Sequence, residues 1–257
     1  MGVAPGGASA ISASSPTAMR ARGFAGIVSS ESAAVMAVMR QNAKFSIATG
    51  YGYDDADAPD DPLLEEFKAM RRKLFTWKDW NVIPPIEYLA PFLRTIRSVE
   101  TSGPITGVAL GAVLKVLKHG LIDVANAHAA DAMHAVADAV TLCRFEATDA
   151  DHDDVVLSKI LHVLLECVTC PAGRLLSDDD VCNVVQACYR IGHQSGKESA
   201  LMRNLSRHIL REIVHAVFKG LPEMDGLRAS DASEDGAGTT PGRAHHIEGK
   251  PPPSPSK

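Results

Sequence analysis

From about residue 29 to residue 224, apolar side chains recur every three or four positions, the period of a helix with one face turned to a core. The pattern predicts about eight helices: Ser30–Lys44, Pro62–Trp77, Pro84–Ser98, Pro104–Lys118, Asn126–Arg144, Asp151–Val168, Ser177–Ile191 and Glu198–Leu221. Their ends have physical reasons. Pro62 suits a first helical turn, where no backbone donor is needed. Ser177 ahead of Asp178, Asp179 and Asp180 offers a capping hydroxyl and places acids at the positive end of the helix dipole. Pro222 closes the last helix. No run has the look of a strand hairpin.

The stripes are wide. In "DDVVLSKILHVLLECV" the polar residues Ser158, Lys159, His162 and Glu166 form one narrow line, and nearly everything else is Val, Leu, Ile or Cys. A helix that apolar is covered on two sides. Short connections make successive helices antiparallel neighbours. Stacked helix pairs satisfy both conditions, so the expected fold is all-α, an armadillo/HEAT-like helical-repeat solenoid, although no residue-level repeat is visible. Residues 1–28 are small and aperiodic and read as a disordered leader. Residues 225–257 carry almost no large apolar side chains and read as a disordered Pro/Ser-rich tail, closing in a polyproline-like "PPPSPS".

At 46% hydrophobic residues, the 257-residue chain can bury one large core or two small ones. The net charge of −5 gives no electrostatic footprint for nucleic acid, and no Lys/Arg cluster stands out in the sequence. No apolar run reaches the roughly 20 residues of a membrane-spanning helix. The leader lacks the apolar core of a secretory signal; its two Arg and lack of acid before Glu31 are faintly like a transit peptide. Gly2 suggests myristoylation, but Gly6 stands where that motif wants Ser or Thr. Five Cys, an odd count without a secretion signal, read as reduced thiols in the cytosol.

Candidate chemistry is sparse. Asp131, His134 and Asp138 share one helix face and could present metal ligands or an acid–base pair. Met133, Val136, Ala137 and Val140 form a core stripe opposite, so a solvated face is the favoured reading. "CVTC", Cys167 to Cys170, has zinc or redox spacing, but it lacks a second ligand pair and follows an apolar helix instead of a strand. Cys182 and Cys188 are six apart and fall on differing helix faces. Cys143, Cys167 and Cys182 read as structural thiols of low reactivity. His208 and His215 flank Arg211 and Glu212 on a rim face. "GYG" at residues 50–52 has no strand–loop–helix phosphate signature. No nucleophile–base set, cofactor site or metal site emerges.

The ordered series "EYLAPFLRTIRSVETSGPITGVALGAVLKVLKHGLID", "DAMHAVADAVTLCRFEATD", "DDVVLSKILHVLLECV" and "LSDDDVCNVVQACYRIGHQSG" resembles the N-terminal dimerisation and cyclophilin-binding domain of large ARF guanine-nucleotide exchange factors, of the GNOM/GBF type. "SAAVMAVMRQNAKF" and "LMRNLSRHILREIVHAVFKGLP" extend the resemblance over residues 29–224. It implies a non-catalytic regulatory domain that forms a homodimer, contacts the downstream domain of the full factor, and in some members binds a cyclophilin-type prolyl isomerase. It implies vesicle-mediated transport, with peripheral, indirect association to Golgi or endosomal membranes. Exchange catalysis belongs to a separate module, so the chain is expected to be a truncated or short form and not an enzyme. In the resembled family a basic residue late in the "GPIT" helix and an acidic one opening the "VVL" helix contribute to pairing. Lys115 and Asp154 occupy those positions here, Asp154 one methylene shorter than the Glu expected. The alternatives are an unrelated helical-repeat adaptor and a zinc or thiol protein using Cys167 and Cys170.

Overall fold

The computed structural model describes residues 16–41, 61–144, 150–194 and 199–234. Among them are eight α-helices and no strand: α1 (Pro16–Gln41), α2 (Pro62–Leu74), α3 (Ile86–Arg97), α4 (Gly103–Lys118), α5 (Ala129–Thr141), α6 (Ala150–Thr169), α7 (Asp178–Gln194) and α8 (Ala200–Glu234), with a 3-10 turn at Pro171–Leu175. The chain divides into two compact units, Met1–Phe218 and Lys219–Lys257. In the second, the described residues 219–234 are helical.

The first unit is a helical solenoid of two rows. One row runs α2, α3, α5, α7, each packed on the next, and the other runs α1, α4, α6. Across the rows α1 meets α2, α3 meets α4, and α5 meets α6. Each middle helix is thereby covered on two sides. Val156, Ile160, Leu161, Val163, Leu164 and Cys167 of α6 are all buried.

Local chemistry sets the ends. The Asp61 carboxylate accepts from the Leu63 amide at 2.8 Å, capping α2 ahead of Pro62. Ser177 and Asp180 cap α7 reciprocally: the Asp180 amide donates to Ser177 Oγ at 3.1 Å and the Ser177 amide to Asp180 Oδ2 at 3.1 Å. α4 is closed by Gly120, two residues past Lys118, whose φ of 60° only a residue without Cβ adopts freely, and the Leu121 amide turns back to the Val116 carbonyl at 3.1 Å. Between α2 and α3, Asn126 holds the chain by donating to the carbonyls of Asn81 and Ile83 at 2.7 and 2.9 Å. There Trp77, Trp80 and Tyr88 pack into an aromatic corner with Phe24 of α1. Phe67 and Phe92 meet edge to face at 5.0 Å across α2 and α3.

The two largest shifts from the expected boundaries are at the first and last helices. The first helix starts at Pro16, so residues 16–28 of the expected leader are helical. Its buried stripe there is Ala21, Ala25 and Val28; the two alanines give a weak apolar signal yet favour helix and close packing. The last helix passes Pro222 and continues to Glu234, so residues 225–234 of the expected tail are helical too. A proline removes one ladder hydrogen bond, and Glu223, Met224, Leu227, Arg228 and Ala229 around it are good helix formers. Residues 1–15 and 235–257 lie outside the described residues.

Candidate interaction surface

Lys115 stands in the last turn of α4, and its ammonium donates to Glu31 Oε1 of α1 at 2.7 Å. The Lys side chain is 54% exposed and the Glu side chain 12%, so this pair closes the α1–α4 seam with the cation facing outward. Asp154 lies early in α6, half-buried. Farther along α6, Lys159 extends over α4 and donates to the Gly107 carbonyl at 3.0 Å; burial lowers the pKa of its ammonium.

The structure does not bring Lys115 and Asp154 together within one chain. Helices α3 and α5 run the same way, since Arg97 near the end of one pairs with Asp138 near the end of the other. Their antiparallel partners α4 and α6 therefore also run the same way. Gly107, in the second turn of α4, lies against Val156 and Lys159 near the middle of α6. Lys115 is eight residues beyond Gly107, about 12 Å farther along the axis. The two charges sit at opposite ends of the α4–α6 face, where each could meet a residue on another molecule.

The face carrying Asp131, His134 and Asp138 has a different task. Asp138 pairs with Arg97 of α3. His134 Nδ1 lies 2.7 Å from Asp180 Oδ1 of α7. Asp131, 86% exposed, lies 3.8 Å from His128 of its own turn. The expected solvated face is thus also a clasp on both neighbouring helices, and Met133, Val136, Ala137 and Val140 are buried opposite it as expected. Burial pulls the Asp180 carboxyl upward, but hydrogen bonds from the Ser177 hydroxyl and amide and from His134 outweigh it and hold its pKa below the ordinary carboxylate range.

Four of the five thiols lie in or against the core. Cys167, Cys170 and Cys188 are buried and Cys143 half-buried. Desolvation raises all four; Cys143 and Cys188 are each pushed up to about 12. Thiols so held make poor nucleophiles and poor metal ligands. Cys182 departs from its expected place: it is exposed on α7, while Cys188 fills the buried face six residues on. The helical register that separates the two faces puts Val184, Ala187 and Cys188 inward and leaves Cys182 outside. Among the described residues no group of three His, Cys, Asp or Glu side chains could hold a metal ion, and no helix is long and apolar enough to cross a membrane.

One feature escaped the sequence reading, which found no Lys/Arg cluster. Lys68, Arg71 and Arg72 of α2 converge with Ser29 of α1 and Phe75 on a cleft of about 320 Å³. The spacing of three and four residues, on a helix that "KAMRRK" belongs to, was the available signal.

Searched against models of protein families, the chain matches none. Compared with curated proteins, it is 43% identical over 200 residues to the ARF guanine-nucleotide exchange factor GNOM of Arabidopsis thaliana, covering 77% of this chain and 14% of that protein. It is 38% identical over 163 residues to the Golgi-specific brefeldin A-resistance guanine nucleotide exchange factor 1 homolog of Caenorhabditis elegans, covering 63% of this chain and 8% of the relative. It is 28% identical over 171 residues to ARF guanine-nucleotide exchange factor 2 of Saccharomyces cerevisiae, covering 66% of this chain and 12% of that one. The chain therefore spans only a small part of the length of the relatives it matches.

Proposed function

Because the chain is homologous to one segment of the large ARF guanine-nucleotide exchange factors, we propose that it is a non-catalytic regulatory and self-association domain of that kind, serving vesicle-mediated transport. The observation that carries this reading is the 43% identity over 200 residues of a chain whose described residues build a helical solenoid. A solenoid offers long outer faces for partners and consumes its apolar stripes in stacking. The partners in this reading are a second copy of the chain, a downstream segment of the exchange factor, and a cyclophilin-type prolyl isomerase. Lys115 and Asp154, at opposite ends of the α4–α6 face, form the inter-chain charge pair. Exchange chemistry belongs to another part of the factor, and association with Golgi or endosomal membranes is peripheral.

The purified chain tests this directly. Its mass by sedimentation across a dilution series should move from dimer to monomer, and it should form a complex with the separately expressed downstream segment of a relative such as GNOM. A chain that stays monomeric at every concentration and captures no such segment removes the reading.

A further inference from the structure

We propose that the cleft between α1 and α2 binds the phosphate of an anionic lipid headgroup, with Arg71 and Arg72 as its ligands and Phe75 entering the bilayer interface. The cleft is lined by donors and one ring: the Ser29 hydroxyl, the Lys68 ammonium, the Arg71 and Arg72 guanidinium groups, and Phe75. Among the described residues no carboxylate lines it. Lys68 reaches Glu65 on its own helix at 2.9 Å. Arg71 and Arg72 make no ion pair or hydrogen bond among the described residues, whereas Arg94 and Arg97 on the neighbouring helix are each paired with a carboxylate.

Planar guanidinium groups match the geometry of phosphate oxygens and bind them through two parallel hydrogen bonds. Basic residues in the last turn of α2 also suit the helix dipole. The dipole does not account for a serine hydroxyl contributed by α1 at the same cleft, nor for a phenylalanine left 67% exposed at its rim. An exposed aromatic beside a cationic pocket is what a bilayer interface accommodates, the ring at headgroup depth and the cations on phosphate. The chain as a whole carries a net charge of −5, so attraction to an anionic surface has to be local. This inference is independent of the self-association reading, because the cleft lies on α1 and α2 and the proposed pairing on α4 and α6.

The test is sedimentation of the full-length chain with phosphatidylcholine vesicles, with and without phosphatidylinositol phosphate, alongside calorimetry with a soluble inositol phosphate. The chain should follow the phosphoinositide vesicles and not the plain ones. Arg71→Gln with Arg72→Gln should weaken that binding roughly thirtyfold, the effect of two surface cations on an anionic membrane, with helix content unchanged. Phe75→Ala should weaken vesicle binding and leave soluble inositol phosphate binding as it was. As a control, Arg207→Gln with Arg211→Gln on α8 should change neither. The proposal is overturned if the chain ignores phosphoinositide vesicles, if the Arg71 and Arg72 variant binds as well as the native chain, or if the α8 control loses as much. A soluble inositol phosphate or a phosphopeptide bound as tightly as the vesicles, with Phe75→Ala indifferent, overturns the lipid as the ligand.

Discussion

In the row α2, α3, α5, α7 every neighbouring pair is clasped by a polar side-chain contact that includes a carboxylate. Glu66 meets Arg94, Arg97 meets Asp138, and His134 meets Asp180. Arg190 of α7 adds a bond to the Thr141 carbonyl at the end of α5, at 2.8 Å. In the row α1, α4, α6 the described residues show one ion pair between helices, Glu31–Lys115, and otherwise a lysine over a backbone carbonyl. The first row matches side chain to side chain across each helix contact, while Arg71 and Arg72 of α2 stand outside these pairs. In the second, Lys115 is paired with Glu31 but 54% exposed, Asp154 is half-buried, and Val155 beside it is 54% exposed. A face whose charges are already paired offers little for a partner to recognise, and one whose charges are open sets register and specificity when a partner arrives. In the self-association reading proposed above, recognition lies on the α4–α6 face.

The strongest way to break this arrangement is at the contact between α7 and α8. A Cβ on Gly192 would stand 2.3 Å from Ser206 Oγ and 2.7 Å from Ser206 Cβ, where Ser206 already donates to the Cys188 carbonyl at 2.7 Å. Gly192→Val should destabilise the first unit by about 1–3 kcal/mol through overpacking, read as a lowered urea midpoint. Unchanged stability would show that α8 does not rest on α7 as described.

Next in size is the Asp180 clasp. Asp180→Ala removes the α7 cap and the His134 partner together and should cost about 1–2 kcal/mol near neutral pH. The sign with pH follows from its lowered pKa. The contribution of ionised Asp180 is complete above the unfolded carboxylate's value of about 3.9 and is lost as pH falls through the lower folded value. The gap between native chain and variant should therefore close in acid, as measured by denaturant titrations at a series of pH values. A gap that widens in acid contradicts the assignment.

Smaller again are the exposed clasps. Arg97→Ala and Glu31→Gln should each change stability by less than about 1 kcal/mol, and added salt should shrink both effects. If either exceeds that bound, the row it belongs to is held by charge more than by packing. The smallest effect is chemical. In the native state a thiol reagent should modify Cys182 rapidly and Cys167, Cys170 and Cys188 only on unfolding, followed by mass spectrometry of the labelled peptides.

Much of this fold was legible in the chain. The starts at Asp61–Pro62 and Ser177 were readable because a cap is a local device. The wide stripe of α6 announced a helix covered on two sides. The first turns of α1 were not readable, since Ala21 and Ala25 carry little hydropathy although they are buried. Nor was the position of α1 beside α4, a contact between residues 84 positions apart in the chain. The polar face of α5 illustrates the general limit. Spacing placed Asp131, His134 and Asp138 on one side, but only the packed neighbours decide that Asp138 meets Arg97, that His134 meets Asp180 and that Asp131 faces water. For the candidate site, the resemblance supplied Lys115 and Asp154, and the sequence carried no hint of the competing Glu31.

That competitor supplies the most direct test. Lys115→Glu places two acids together at the α1–α4 seam and also removes the cation from the proposed inter-chain pair. Two second changes separate these effects. Glu31→Lys restores an opposite charge within the chain, and Asp154→Lys restores one only across chains. Dimer dissociation constants from sedimentation should rise for Lys115→Glu, recover in part with Asp154→Lys, and stay raised with Glu31→Lys, all at native helix content. Recovery with Glu31→Lys but not with Asp154→Lys, or a dimer indifferent to all three changes, would contradict the account.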